Sequence, residues 1–318
     1  MSTPAPKARF VYLVFSHRRP AQVERLLRRI LELSPDSAVI LHHDGHVEPM
    51  QWTDPPDSRI HVFDAQPIIW GEYSQVTARL QVLRYLHDHV PHDWSVTISG
   101  QDYPVRDLSQ WQAHVSVKDL DYILDARPVN FGPGAPRRVL MQDECFARYA
   151  FRWSPLGPTA KHILPTVNRV ARVFNVDPVM VKRSFKGTPW LGLARRTIFS
   201  PDWRCYKGMV SMALSAKALA RVQSVLAARP EIERYYSTTL FPAESLLPTV
   251  LSNEHDLRGR QGHVSFTIWE AESSPHPVEI GPAEIDAALS SGAPFARKLD
   301  IDTGAAAFDA LDAALGAS

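Results

Sequence analysis

The first 125 residues alternate between two hydrophobic periods. Arg9 to Phe15 (RFVYLVF) is a short apolar run of the buried-strand kind. Ser16-His17-Arg18-Arg19-Pro20 interrupts it, with Pro20 where a first helical residue suits its fixed φ. Val23, Leu26, Leu27, Ile30 and Leu31 then recur at helical spacing, with Arg and Glu on the other face. A second strand over Ala38 to His43 ends at Asp44-Gly45, and a third is expected over Arg59 to Phe63. Val76, Leu80, Leu83 and Leu86 mark the next helix. Trp94 to Ser99 reads as a fourth strand, stopped by Gly100-Gln101-Asp102-Tyr103-Pro104, and Asp121 to Ala126 as a fifth. This alternation predicts an α/β fold, a mostly parallel sheet flanked by helices. Ligands of such sheets bind beyond the carboxyl ends of the strands, which singles out the loops at 16–20, 43–46 and 99–104.

From about 127 to 204 the pattern dissolves into a stretch rich in Pro, Gly, Arg and Trp, with one helical piece expected around 160–184. Long irregular stretches inside a compact domain are usually functional or mobile. Regular signals return with MVSMAL (209–214) and a helix over about 215–228. A helix opening at Pro242, a strand over His263 to Trp269 and a helix near 282–291 follow. The Ala-rich tail after 303 reads as one weak helix or a frayed end. With no internal repeat or low-complexity linker, the expectation is one domain over 1–302, an insertion at about 127–204, and a tail over 303–318.

Composition narrows the class. Among 318 residues, 45% are hydrophobic and 22% charged, the balance of a soluble globular protein. Lys plus Arg (35) against Asp plus Glu (34) gives a net charge of +1 without a basic stripe, which argues against nucleic acid. Cys145 and Cys205 are too few for a disulfide framework or a zinc knuckle and fit reduced thiols in a cytoplasmic setting. MSTPAPKARF lacks an apolar signal core, and no run approaches the roughly 20 apolar residues that span a bilayer.

Four segments could carry chemistry. HHDGH (42–46) offers three histidines and an aspartate, but not at a familiar zinc spacing. The other histidine group, His87, His89 and His92, fits the end of a helix, where cationic side chains suit the macrodipole. Asp44, ending a parallel strand, is placed to accept hydrogen bonds from a ribose or base; an Asp-Gly turn explains it equally. In SGQDYP (99–104), Gly100 permits close backbone approach to a ligand and Asp102 falls where a polar group would face the cleft. The same residues also simply end strands. In FPAESLLPTVL (241–251), Pro242 at the first helical position puts Glu244 at the third, where the dipole favours a carboxylate by roughly 0.3–1 kcal/mol. An ionised glutamate is what a general base requires, and an ordinary first-turn residue has the same spacing. In PFARKLD (294–300), Arg297 and Lys298 could both reach a diphosphate, one by its planar fork and the other as a point charge. A solvated surface pair is the plain alternative.

In order, YLVFSH (12–17), HHDG (42–45), WGEYSQVTARLQVLRYL (70–86), SGQDYPV (99–105), PAESLLPTVL (242–251) and PFARKLD (294–300) span nearly the whole chain. Together they resemble the core-2/I-branching enzyme family of β-1,6-N-acetylglucosaminyltransferases and peptide O-xylosyltransferases. The resemblance implies a GT-A-like fold and inverting transfer of a GlcNAc-type sugar or xylose from a UDP-sugar to a hydroxyl on a glycan or small molecule. It makes Glu244 the general base, and Arg297 with Lys298 the groups that neutralise the diphosphate in place of a metal cofactor. Asp44 then contacts the nucleoside, Ser16, His17, Gly100 and Asp102 belong to the donor pocket, and Arg258 or Arg260 matches a further family arginine. The insertion falls on the acceptor side, where Trp153 and Trp190 would either stack on sugar or serve packing. It matches the family poorly.

Two departures bear on this. The family's Gly-Ser-x-Trp segment is replaced by YKGMVSMAL, keeping Gly208 but not the tryptophan, although Trp203 is close by. The cysteines and membrane anchor of Golgi members are absent, as in a soluble bacterial-type enzyme. The Asp-x-Asp sequences at 119–121 and 300–302 respectively precede a strand and follow the basic pair, unlike a metal-binding motif at a strand's end. Two rivals remain: a nucleotide-sugar-binding protein without turnover, and a metal-dependent hydrolase built on HHDGH.

Overall fold

In the computed structural model the described residues are 10–63, 65–131, 144–156, 179–183, 189–270 and 276–316. The chain opens with β1 (Phe10–Ser16), α1 (Pro20–Leu33), β2 (Ala38–His43), β3 (Ile60–Phe63), α2 (Ser74–His89) and β4 (Trp94–Ser99). Then come β5 (Tyr103–Pro104), α3 (Leu108–Ser116), β6 (Tyr122–Leu124), β7 (Ala126–Pro128), α4 (Glu144–Ala150) and β8 (Phe151–Pro155). β9 (Val179–Arg183), β10 (Pro189–Ala194), β11 (Tyr206–Gly208), β12 (Met212–Ser215), α5 (Ala216–Ala228) and α6 (Glu231–Tyr236) follow. The last part holds α7 (Leu246–Asn253), β13 (Gly259–Gln261), β14 (Ser265–Thr267), α8 (Ile285–Ser290), β15 (Phe295–Arg297) and α9 (Ile301–Ala314).

The main sheet has seven strands in the order β13-β6-β12-β4-β1-β2-β3. Every neighbouring pair is parallel except those of β12, which runs antiparallel to both β4 and β6. The apolar run of β1 serves both faces at the two-residue period of a strand. Val11 and Leu13 pack with Val76, Leu80 and Leu83 of α2 and with Leu219 and Val222 of α5. Phe10, Tyr12 and Val14 pack with Val23, Leu26 and Ile30 of α1 and with Phe308 and Leu311 of α9. Helices therefore cover both sides of a mostly parallel sheet, the α/β architecture the sequence predicts.

Several expectations change. The fifth strand divides at Asp125, so that β6 joins the main sheet while β7 pairs with β11. The helix at Pro242 is first a 3-10 turn, Pro242–Glu244; Ser245, at φ −134°, breaks it before α7 begins. Of the helix expected around 160–184, residues 157–178 and 184 lie outside the described ones. Residues 179–183 form β9, the edge of a small antiparallel sheet β8-β10-β9. The tail is not peripheral. α9 starts at Ile301, across the expected boundary at 302, and its Phe308 and Leu311 are completely buried against α1 and the sheet.

Among the described residues no helix is long and apolar enough to cross a membrane. Because Phe308 sits in the core, Phe308→Ala should cost about 3–5 kcal/mol. Denaturant unfolding measures this; a loss below about 0.5 kcal/mol, as at a surface position, would show that the tail does not belong to the cooperative unit.

Candidate active site at the carboxyl edge of the sheet

β1, β2 and β4 end side by side at Ser16, His43 and Ser99. His43 lies 2.6 Å from the Glu48 carbonyl through Nε2 and 2.8 Å from the Ser16 hydroxyl through Nδ1. A carbonyl only accepts, so Nε2 donates to it, and a neutral ring accepts from Ser16 at Nδ1. Asp44 is buried, and its carboxylate accepts the N–H groups of Ile68 (2.7 Å) and His46 (3.1 Å). Burial works against its charge, but these hydrogen bonds prevail and hold its pKa below 3.8. Asp44 thus ties the segment before α2 to the end of β2. His42 is fully buried between the Phe15 and Phe63 rings, and burial lowers its pKa. Its ring nitrogens have no partner among the described residues. Of the HHDGH side chains His46 meets Asp44, Nδ1 to Oδ1 at 3.2 Å, while His42 and His43 have other surroundings. No group of three or more His, Cys, Asp or Glu among the described residues is placed to hold a metal ion.

The loop after β4 is held from below. A Cβ on Gly100 would come within 2.7 Å of Ser16 Cβ, so the close approach this glycine allows is to β1. Asp102 is completely buried and faces protein, contrary to the expectation that it faces the cleft. It accepts from the Ser99 N–H (2.7 Å), the Ser99 hydroxyl (2.5 Å) and the Ser265 hydroxyl. Gln22, buried on α1, donates to the carbonyls of Gly100 (2.8 Å) and Leu299 (3.1 Å) and accepts from Ile301 N–H (2.9 Å). These contacts, and the sheet β14-β15-β5, bring the end of β15 to the end of β4.

Arg297 and Lys298 therefore stand at the expected edge. Lys298 Nζ donates to Glu279 at 3.3 Å, whereas Arg297 Nε is buried without an acceptor among the described residues. Arg18 Nε, beside His17, and Gln101 Nε2 are in the same condition. Burial lowers the pKa of His17, and Arg18 lowers it further. Burial also lowers that of His276, as do the nearby cations Lys298, Arg18 and Arg297. Arg258 is not part of this edge. It is exposed and ion-paired with Asp119 before the amino ends of β6 and β13, which run parallel to β1. Arg260 is exposed on the edge strand β13, with no partner among the described residues.

Glu244 occupies the opposite wall. Phe241 before it has φ 51°, a left-handed conformation that a bulky side chain adopts only where surroundings enforce it. Its N–H donates to the Gly71 carbonyl at 2.9 Å. Gly71, at φ 80°, lies so near that a Cβ would be 3.1 Å from the Phe241 ring. Behind the turn, the Tyr236 hydroxyl is 2.8 Å from Ser245 Oγ and 2.9 Å from Thr249 Oγ1, and Ser245 donates to the Tyr206 carbonyl at 2.7 Å. The Glu244 side chain is 28% exposed; Oε2 accepts from Arg148 Nη1 at 3.0 Å, with Lys207 Nζ at 3.7 Å. Oε1 has no partner among the described residues. Glu244 precedes α7 instead of lying in its first turn, so two cations supply the positive field the sequence assigns to a helix dipole.

The Trp70 ring joins the walls: its centroid is 5.0 Å from that of Phe241 and 5.4 Å from that of His276. Trp153 is not part of a sugar-binding wall, since it is buried under Gly192 with Nε1 donating to the Ala147 carbonyl at 3.1 Å. Trp190 is half-buried against the core. The sequence reading missed Arg79, Arg148, Lys207 and His276. Only Arg79 left a signal: it is three residues from Val76 and four from Leu83, a charge on the apolar stripe of α2.

No protein-family model and no curated protein matches the chain. Among solved structures it is similar to WbbM, a bifunctional glycosyltransferase, at 11% identity and TM-score 0.42, covering 93% of this chain and 46% of that one. It is also similar to 4-diphosphocytidyl-2C-methyl-D-erythritol synthase from Anaerococcus prevotii (8%, 0.35, 89% and 98%). A third is a candidate glucose-1-phosphate thymidylyltransferase from Bacillus anthracis, solved with sucrose (10%, 0.31, 80% and 87%). Likeness at this level assigns no activity. The protein is an α/β protein with a mostly parallel sheet, and its chemistry has to come from its own side chains.

The depressed pKa of Asp44 has a direction that can be measured. A carboxyl whose folded pKa lies below its unfolded one stabilises above the unfolded value, here 3.8, and loses that contribution as pH falls through the folded value. Asp44→Asn should cost about 1–3 kcal/mol near pH 7. In urea unfolding the gap from wild type should begin to narrow as the pH falls below 3.8 and be lost only below the folded value; a gap constant with pH would mean the charge contributes nothing.

Proposed function

We propose that the chain is an inverting glycosyltransferase that moves a GlcNAc-type sugar or xylose from a UDP-sugar to a hydroxyl of a glycan or small molecule. The observation that carries this reading is the pairing of the two walls. A cationic edge holding Arg297 and Lys298, with His276 beside it, is joined through Trp70 and Phe241 to a glutamate with one carboxylate oxygen uncommitted among the described residues. Order and spacing of the motifs that resemble the core-2/I-branching family support it.

Glu244 has the geometry of a general base. Arg148 and Lys207 hold Oε2, so Oε1 is left to accept the proton of the attacking hydroxyl. The hydroxyl oxygen forms its bond to the anomeric carbon on the face opposite the diphosphate. The bond from that carbon to the phosphate oxygen breaks as this occurs, and its electron pair leaves with UDP. The charge that accumulates on UDP is met by side chains in place of a metal ion. Preorganised cations of this kind stabilise a transition state because they need no reorganisation as charge develops, and each is worth on the order of 10²–10³ in rate. Trp70, 42% exposed between the walls, offers an aromatic face to a sugar ring.

Glu244→Gln should lower turnover on the order of 10²–10⁴-fold, followed as UDP released from UDP-sugars, and leave UDP affinity unchanged. Full activity in that variant would remove the base from this account. UDP should bind equally well in EDTA; binding that appears only with added metal would sink the metal-free clamp. A protein that binds UDP but turns over no UDP-sugar with any acceptor would be a nucleotide-sugar-binding protein.

A further inference from the structure

Arg79 has no role in the account above, and its surroundings do not explain it. Its stem lies on the stripe of α2 that packs Val76, Leu80 and Leu83 into the core. Its guanidinium carbon sits 4.6 Å from the centre of the Phe15 ring, over the last rungs of the sheet, where Phe15 pairs with His42 and Ser99. Its Nη1 is buried with no acceptor among the described residues. Burial lowers its pKa to about 10, and the Arg297 guanidinium pushes in the same direction while Asp102 opposes it. It is therefore protonated at neutral pH, in the field of a second guanidinium.

Desolvating one cation is costly, and placing it near another of the same sign adds to that cost. Asp102 offers no direct relief, because its oxygens are taken by Ser99 and Ser265. Arg297 Nε, Arg18 Nε and Gln101 Nε2 are three further buried donors without acceptors among the described residues. Lys298 is in a different position, since it already donates to Glu279. None of the described residues supplies the acceptor these donors lack, and an anion with several oxygens matches them.

We propose that Arg79 is a ligand of the donor's diphosphate, forming with Arg297 a two-guanidinium clamp across the carboxyl ends of β1 and β4. The nature of the nucleotide attached to that diphosphate rests on the function proposed above; the anion site itself does not. Guanidinium forks match phosphate oxygens two at a time, which the single ammonium of Lys298 cannot do.

The test is calorimetry in EDTA with inorganic pyrophosphate and with UDP, on wild type, Arg79→Gln, Arg79→Lys and Lys298→Ala. Loss of one charge-assisted hydrogen bond to the anion should weaken binding of both probes about 10- to 100-fold in Arg79→Gln, with partial recovery in Arg79→Lys and a smaller loss in Lys298→Ala. Arg79→Gln that binds pyrophosphate as wild type does overturns the clamp. Wild type that binds UDP and an Arg79→Gln that binds it equally well overturn the clamp and leave the function standing. Wild type that binds pyrophosphate but not UDP, with the loss in Arg79→Gln, supports the clamp and removes the UDP-sugar reading. Wild type that binds neither probe overturns the clamp. Should Arg79→Gln fail to fold, a crystal structure of wild type with pyrophosphate decides. An Arg79 nitrogen about 3 Å from a phosphate oxygen supports the clamp, and one out of hydrogen-bonding reach overturns it.

Discussion

The open edge of the sheet depends on buried polar side chains that bind backbone where the sheet ladders stop. Gln22 holds the Gly100 loop and residues 299–301 with one amide, and Asp102 joins the end of β4 to Ser265. Loop backbone at that depth has no neighbouring strand to satisfy it, and each unpaired buried carbonyl or N–H would cost about 1–3 kcal/mol. Together with the pairing of β15 to β14 and β5, these bonds fix the segment carrying Arg297 and Lys298 over strands laid down by the first hundred residues. The basic pair reads as a surface pair in the sequence and is brought to the open edge by attachment.

The two walls hold their charges differently. Glu244 is stabilised within the protein: Arg148 reaches Oε2, the Arg148 guanidinium lies 4.3 Å from the centre of the Phe241 ring, and a buried hydroxyl network fixes the turn beneath. The cationic wall is left short of acceptors among the described residues, with buried donors on Arg18, Arg79, Arg297 and Gln101. A carboxylate already in place and cations still lacking an acceptor suit a base that waits and an anion that arrives. Among the described residues the two non-glycine positions with positive φ are Phe241, before Glu244, and Arg19, at the start of α1. Such strain persists only where the surrounding contacts over-determine it.

Much of the candidate site was legible because strand ends are legible. Apolar runs that stop at Ser16, His43 and Ser99 locate the edge of the sheet, and Glu244 and the Arg297-Lys298 pair stand out as charges within largely apolar segments. What each residue does there was less accessible. Gly100 and Asp102 have the composition of a ligand loop, yet one packs on Ser16 and the other is buried beneath the edge. Arg258, one of the two arginines offered by the resemblance, lies beyond the opposite ends of the strands. Trp153, suited by type to a sugar platform, is part of the core.

Local periodicity determined which segments are strands and helices, because burying one face of each element requires period two or period three to four whatever lies across from it. That is enough to specify a mostly parallel sheet between two layers of helices, with its ligand edge. Tertiary structure alone decided that β12 runs against its neighbours, that the tail helix belongs to the core, and that Arg148 and Lys207 meet Glu244. These are contacts between residues distant in sequence and on different elements. No local pattern encodes a pairing whose free energy exists only once both partners are desolvated in the same place.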